Sequence, residues 1–336
     1  MKNVPVWRLA LQALEEHDPA MLLYVLDSSG SSPGRRGFFM VVVDAGSLGT
    51  LSMKGSIGGG IMEHKFVEMA RQLLRSGESA AQTRKQYHDK TAAKDQSGMI
   101  CSGEQTIFLY RLKQKDKEII QRIISSLENS QNGTLVLSPS GIGFNDDIPA
   151  KNFAFEKQSD DEWEYREKTG FKCRLSIIGG GHCSLSLSNL MRKLDFYIRV
   201  YDDRSELNTM LENDAAHEKH VVTDYSELVG LIEPGPDHYV VIMTMGYRTD
   251  DIALRALVNK DFAYLGVLGS KSKIEKMMSG YRADGINQER LHQVHAPIGL
   301  GIKSESPEEI AVSIAAEIIG VKNVKDKASK KKRTKS

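Results

Sequence analysis

Cysteine, long apolar runs and net charge are all scarce in this chain of 336 residues. The three cysteines, Cys101, Cys173 and Cys183, are too few and odd in number for a disulfide scaffold, and fit a reducing compartment. The longest unbroken apolar run, Ala20–Leu26, has seven residues, against the roughly 20 needed to cross a hydrocarbon core. Arg8, Glu15 and Glu16 interrupt the beginning of the chain, so no cleavable signal pattern is expected there. The expectation is a cytoplasmic protein without a membrane span. Formal net charge is only +1, and no basic stripe with interleaved aromatics runs through the body, which argues against nucleic-acid binding.

The composition that remains is that of a soluble globular protein, with 40% hydrophobic and 26% charged residues. A collagen-like, mucin-like or wholly disordered chain is excluded, and the length suggests two domains. Charge is unevenly spread. Residues 322–336 hold eight Lys or Arg and one Asp, leaving a mildly acidic body. The end of this segment (Lys330, Lys331, Lys332, Arg333, Lys335) has no apolar residue to bury, so 321–336 is expected to be a disordered, solvated tail.

Patterning divides the rest. Val6, Leu9, Ala10, Ala13 and Leu14 recur at helical spacing, while Met21–Leu26 and Phe38–Val43 are short apolar runs typical of buried strands. A second helix follows Gly60 with Met62, Phe66, Met69, Ala70 and Leu73 on one face. Strands are expected at Thr106–Leu112 and Thr134–Leu137, with a helix between them. Residues 139–171 carry Pro139, Gly141, Gly143 and Pro149, few aliphatics and many charges. They read as a connector with a hairpin within Asn152–Lys168. After Lys172, strands expected at 174–178, 197–201, 220–223, 239–244 and 262–268 alternate with helical stretches, which predicts a parallel sheet covered on both faces. Ser306-Pro307-Glu308-Glu309 opens the last helix as N-cap, N1 proline and capping box. The fold class is therefore α/β. A Rossmann-like domain spans 172–320, and an N-terminal mixed α+β domain spans 1–138.

Chemistry gathers at four places. Gly179-Gly180-Gly181-His182-Cys183-Ser184 follows an apolar strand and opens a helix, in the form G-x-G-x-x-S. Gly179 permits the tight turn, and Gly181 lets a phosphate approach the helix N-terminus. Asp202 stands 23 residues after Gly179, near the spacing of a ribose-binding carboxylate, and Arg204 follows it. His182 either contacts a ligand or caps the turn. Gly269, Ser270 and Lys271 lie where another strand ends, the usual place for ligands in open α/β sheets, and Lys271 opposes the helix dipole unless an anion is present. Gly58-Gly59-Gly60 with Glu63 forms either an anion nest for phosphate or a pterin edge, or a plain tight turn. Cys101, flanked by Ser102 and Gly103, is the accessible cysteine, able to bind a soft metal or carry sulfur. Cys173 and Cys183 lie beside apolar strand residues and read as packing. No closed zinc-site spacing occurs.

In order, these motifs resemble the XdhC/CoxI family of xanthine dehydrogenase accessory factors. The resemblance covers roughly residues 5–320. It rests on Gly30-Ser31-Ser32-Pro33 with Gly37 and Met40, Gly55–Gly60 with Glu63, and Cys101 with Gly103. It continues through Gly179–His182, Asp202, Arg204, Gly266 and Gly269-Ser270-Lys271, and ends with Pro297-Ile298-Gly299-Leu300 and Ser306–Ala311. Three positions depart from the family's habit: Ser102, Cys183, and Met245-Gly246-Tyr247.

The resemblance implies a bacterial cytoplasmic chaperone of purine catabolism rather than a catalyst. Such a protein binds the molybdenum cofactor (molybdopterin), protects it during sulfuration by a cysteine desulfurase, and hands it to apo xanthine dehydrogenase or a related molybdenum hydroxylase. It implies cofactor contacts from the residues above, with Cys101 as the molybdenum contact. A homodimer is one expectation from the small-residue face Ala311, Ala315 and Ala316 of the last helix; packing within the chain is the other. The competing readings of the Gly179–Ser184 turn are an NAD(P)-dependent oxidoreductase and a nucleotide-sensing binding module.

Overall fold

The computed structural model describes residues 3–45, 50–78, 81–87 and 103–331. The chain divides into two compact units, Met1–Gly170 and Phe171–Ser336. In the first unit the order is α1 (Val4–Glu15), β1 (Ala20–Gly30), β2 (Phe39–Ala45), β3 (Thr50–Gly55), α2 (Gly60–Ser76), β4 (Gln82–Tyr87), β5 (Gly103–Arg111) and α3 (Lys117–Glu128). Strands β6 (Thr134–Ser138), β7 (Gly141–Asn145), β8 (Phe153–Lys157) and β9 (Trp163–Lys168) complete it.

Strand β1 lies at the centre of a five-stranded antiparallel sheet of order β3-β2-β1-β5-β4. Its unbroken apolar run is explained by burial on both faces. Leu22, Tyr24 and Leu26 pack with Val6, Trp7 and Ala10 of α1 and with Ile120 and Ile123 of α3. The alternate residues Met21, Leu23 and Val25 pack with Met62, Phe66, Val67, Ala70 and Leu74 of α2. The period of two along the strand sends successive side chains to opposite cores.

The connector expected over 139–171 is corrected by the structure. Strands β7, β8 and β9 fall within it, and with β6 they form an antiparallel sheet of order β7-β6-β9-β8. The expected hairpin is β8–β9. The segment looked linker-like because aliphatics are rare in it. Its burial is carried by Ile142, Phe144, Trp163 and Tyr165, which enter the same core as α1 and α3. Trp163 meets Phe108 edge-on at 5.0 Å.

The second unit runs β10 (Cys173–Ile178), α4 (His182–Arg192), β11 (Phe196–Asp202), α5 (Asn208–Leu211), β12 (Glu218–Val221), α6 (Leu228–Leu231) and β13 (Gly235–Ile242). It continues with α7 (Tyr247–Leu257), β14 (Phe262–Val267), α8 (Lys271–Ala283), α9 (Gln288–His292), β15 (Val294–His295) and α10 (Pro307–Lys331). All six strands are parallel, in the order β12-β11-β10-β13-β14-β15. This is the doubly wound Rossmann order. Tyr239 and Val241 of β13 face the α4 and α10 side, while Val240 and Ile242 face α7 and α8.

Helix α10 begins as its sequence dictates. The Ser306 hydroxyl accepts from Glu309 N–H (3.2 Å), and the Glu309 carboxylate accepts from Ser306 N–H (3.3 Å). Its other end is a second correction, because residues 321–331 continue the helix instead of forming a disordered tail. No Gly or Pro follows Gly320 to stop it. Lys and Ala propagate a helix already nucleated by the buried turns around Ala311, Ile314 and Ile318. Among the described residues, no helix is long and apolar enough to cross a membrane.

Candidate functional site

In the first unit three backbone segments meet with no space between them. A Cβ on Gly34 would lie 1.9 Å from the Ile57 carbonyl oxygen, and one on Gly58 would lie 2.4 Å from Gly34 N. One on Gly103 would lie 2.6 Å from Ser32 N. Gly58 also has φ +131°, closed to side chains. The loop after β1, the loop before α2 and the start of β5 are thus interlocked at their glycines. The buried Gln105 donates from Nε2 to Ile57 O (3.2 Å), and Ser32 Oγ donates to Gly34 O (3.1 Å).

The nest expected at Gly58–Gly60 is occupied from within. Glu63 lies in the first turn of α2, and its Oε2 accepts from Ser56 Oγ (2.7 Å), Ile57 N (2.9 Å) and Gly59 N (3.0 Å). The carboxylate sits where an anionic ligand would, at the positive end of the helix. Gly59 itself is open, since a Cβ there would meet nothing within 4 Å. Cys101 lies outside the described residues. The strand it precedes begins at Gly103, inside the interlock.

In the second unit the parallel strands bring Gly179–Gly181, Asp202–Arg204, Thr244–Gly246 and Gly269-Ser270 to one edge of the sheet. Gly179 takes φ +106°, and a Cβ on it would lie 2.3 Å from Met243 O, so the sharp exit from β10 requires glycine. Gly181 is the N-cap of α4 and has open space where a side chain would stand. His182 is exposed. Burial, reinforced by Glu308, pushes the Cys183 thiol up, away from the reactive thiolate form.

Asp202 is fully buried. Oδ2 accepts from Gly180 N (2.6 Å) and Arg204 Nη2 (2.9 Å); Oδ1 accepts from Arg204 N (3.0 Å) and Nε (2.8 Å). Burial opposes its ionisation, but the Arg204 and Gly180 hydrogen bonds outweigh that and hold its carboxyl below the ordinary range.

Asp250 is a second buried carboxylate, one that no motif marks in the sequence. Asp250 Oδ1 accepts from Thr244 N (2.9 Å) and Thr244 Oγ1 (2.6 Å), and its other oxygen pairs with Lys273. Lys273 Nζ also donates to Leu268 O (3.1 Å). A lysine near a helix start otherwise opposes the dipole, and here the anion is supplied by the chain. Lys271 and Ser270 are exposed at that start, where Ser270 Oγ caps Lys273 N (3.3 Å).

The sequence that builds these two sites matches two family descriptions. The model of the XdhC Rossmann domain fits residues 175–318, and that of the XdhC and CoxI family fits residues 13–87. The chain belongs to the XdhC and CoxI family. A family relative, a probable xanthine dehydrogenase subunit of Bacillus subtilis (strain 168), is 30% identical over 149 residues, 44% of this chain. The uncharacterized protein YqeB of Escherichia coli (strain K12) is 26% identical over 312 residues, 92% of this chain. The matches span 42% and 44% of those two proteins, less than half of each. The fold recurs in the crystal structure of a xanthine dehydrogenase from Bacillus halodurans, with a TM-score of 0.67, 23% identity and 96% of both chains covered. The family's two matched regions carry the glycine interlock at Gly34 and Gly58 and the Gly179–Asp202 edge.

Proposed function

We propose that this chain is an accessory factor that carries the molybdenum cofactor. In this reading it holds the cofactor during sulfuration, accepts sulfur through a cysteine desulfurase partner, and delivers the product to apo xanthine dehydrogenase or a related molybdenum hydroxylase. The cofactor is cargo, so the chain needs a holding site rather than catalytic groups. The observation that carries the reading is the interlock of Gly34, Gly58 and Gly103, of which Gly103 stands two residues after Cys101 in the sequence. An interlocked backbone fixes the base of a site without side chains crowding it. Cys101 supplies the soft thiolate that suits molybdenum. Glu63 keeps the neighbouring N–H groups satisfied through its own carboxylate, and open Gly59 leaves room beside them.

The test is co-expression with cofactor biosynthesis active, anaerobic purification, and assay of bound pterin as its fluorescent oxidation product. Wild-type protein is expected to carry about one pterin per binding site, and Cys101→Ala to retain several-fold less while melting normally. Pterin-free wild type from cells that demonstrably make the cofactor sinks the proposal. Unchanged retention by folded Cys101→Ala removes the thiol from the site.

A further inference from the structure

We infer that Arg204 is a specificity-determining residue of the Rossmann-like unit, and that it shuts out nucleotides held through a ribose diol. In a dinucleotide site of this topology, the acid at the end of the second strand accepts hydrogen bonds from the ribose hydroxyls. Asp202 holds that position at the end of β11. It meets two conditions that deny it the role. Its side chain has no exposed surface, and both of its oxygens already accept from protein donors.

Three of those four hydrogen bonds come from Arg204, from its backbone N–H, Nε and Nη2. The guanidinium lies across the carboxylate in a fork, the geometry in which Arg binds carboxylates most strongly. Its remaining nitrogen, Nη1, points to Met245 Sδ at 3.5 Å, and Met245 is 82% exposed. Arg204 therefore stands between Asp202 and solvent. The neighbouring acid is tied to another element, Asp203 Oδ1 accepting from Tyr225 OH (3.1 Å). Beneath the pair the turn is packed. A Cβ on Gly180 would lie 3.1 Å from both Leu207 and Met210.

A ribose entering this subsite would have to displace a charge-assisted ion pair and bury its own hydroxyls without an acceptor. A hydrogen bond to a charged partner is worth about 10- to 100-fold in affinity, and here it is spent inside the protein. Ligands that need no carboxylate at this point are not penalised. The inference is independent of the cofactor-carrier reading, since it concerns which nucleotides the turn rejects.

NAD+ is the probe, titrated by calorimetry into the full chain. Wild type is expected to show no saturable binding at millimolar NAD+. Arg204→Met, which keeps the stem but uncovers Asp202, is expected to bind at least tenfold more tightly, and Arg204→Met combined with Asp202→Asn to lose that gain. Arg204→Lys, retaining a cation without the fork, is expected to fall between, and decides the matter if Arg204→Met fails to fold. Tight NAD+ binding by wild type overturns the inference. So does a folded Arg204 variant that binds no better than wild type.

Discussion

Single residues in this protein show how far burial redirects their chemistry. His238 is fully buried in β13, its Nδ1 facing Glu233 O at 2.7 Å and its Nε2 facing Ser176 Oγ at 2.8 Å. Burial, with Arg174 adding to it, lowers its pKa to about 4; burial and Arg192 do the same to His217, also to about 4. In the unfolded chain both titrate near 6.5. Between pH 6.5 and 4 the unfolded state therefore binds more protons, and stability falls as pH falls through that window. For His238 the full effect is on the order of 3 kcal/mol. Denaturant melts at pH 7.0 and 4.5 are expected to show a clear loss in wild type and a smaller loss in His238→Gln. Equal losses in the two proteins would show that His238 is not the proton sink. Asp202 and Asp250 illustrate a related point. The order of acids along the chain was readable, but whether each faces a ligand or its own protein depends on Arg204 and Lys273 folding back over them.

Elements were legible wherever burial is two-sided or a turn is chemically marked. Strand β1 opens on a continuous apolar run, Ala20–Leu26, and β13 closes on one, Tyr239–Ile242, because both faces are covered, and the start of α10 is written in Ser306, Pro307 and Glu309. Strands β3 and β4 are poorly marked in the sequence because they lie at the two edges of their sheet, where residues 52–55 are exposed and β4 carries no apolar alternation. The 139–171 segment is poorly marked because a few aromatics, rather than a run of aliphatics, anchor it. That difference makes a sharp prediction. Trp163→Ala removes the ring packed against Phe108 and Phe155 and is expected to destabilise the first unit by about 3–5 kcal/mol. A true linker residue would move the denaturation midpoint hardly at all. At the site, the glycine run before α2 was visible, but its closure by Glu63 and its contact with Gly34 are tertiary facts that no local pattern encodes.

At the scale of the whole molecule, each unit carries its own cores. Among the described residues, the buried members of the two cores of the first unit come from residues 6–165, and those of the two cores of the second from residues 173–318. Each unit thus contains what a folding domain needs. Residues 171–336 expressed alone are expected to melt cooperatively with near-native circular dichroism, and so are residues 1–170. A fragment that stays unfolded would show that its core depends on the other half.

The central place of β1 also sets an order of events during synthesis. Its neighbour β5 lies some eighty residues downstream, and the core over Tyr24 closes only when Tyr165 arrives. A nascent chain therefore carries the most apolar strand of its first half with one edge bare until about a third of the protein has been made. Contacts so distant in sequence form slowly. For a ribosome-bound chain, Ala20–Leu26 is the segment that most needs shielding, and the 139–168 sheet is the last piece that ends the need.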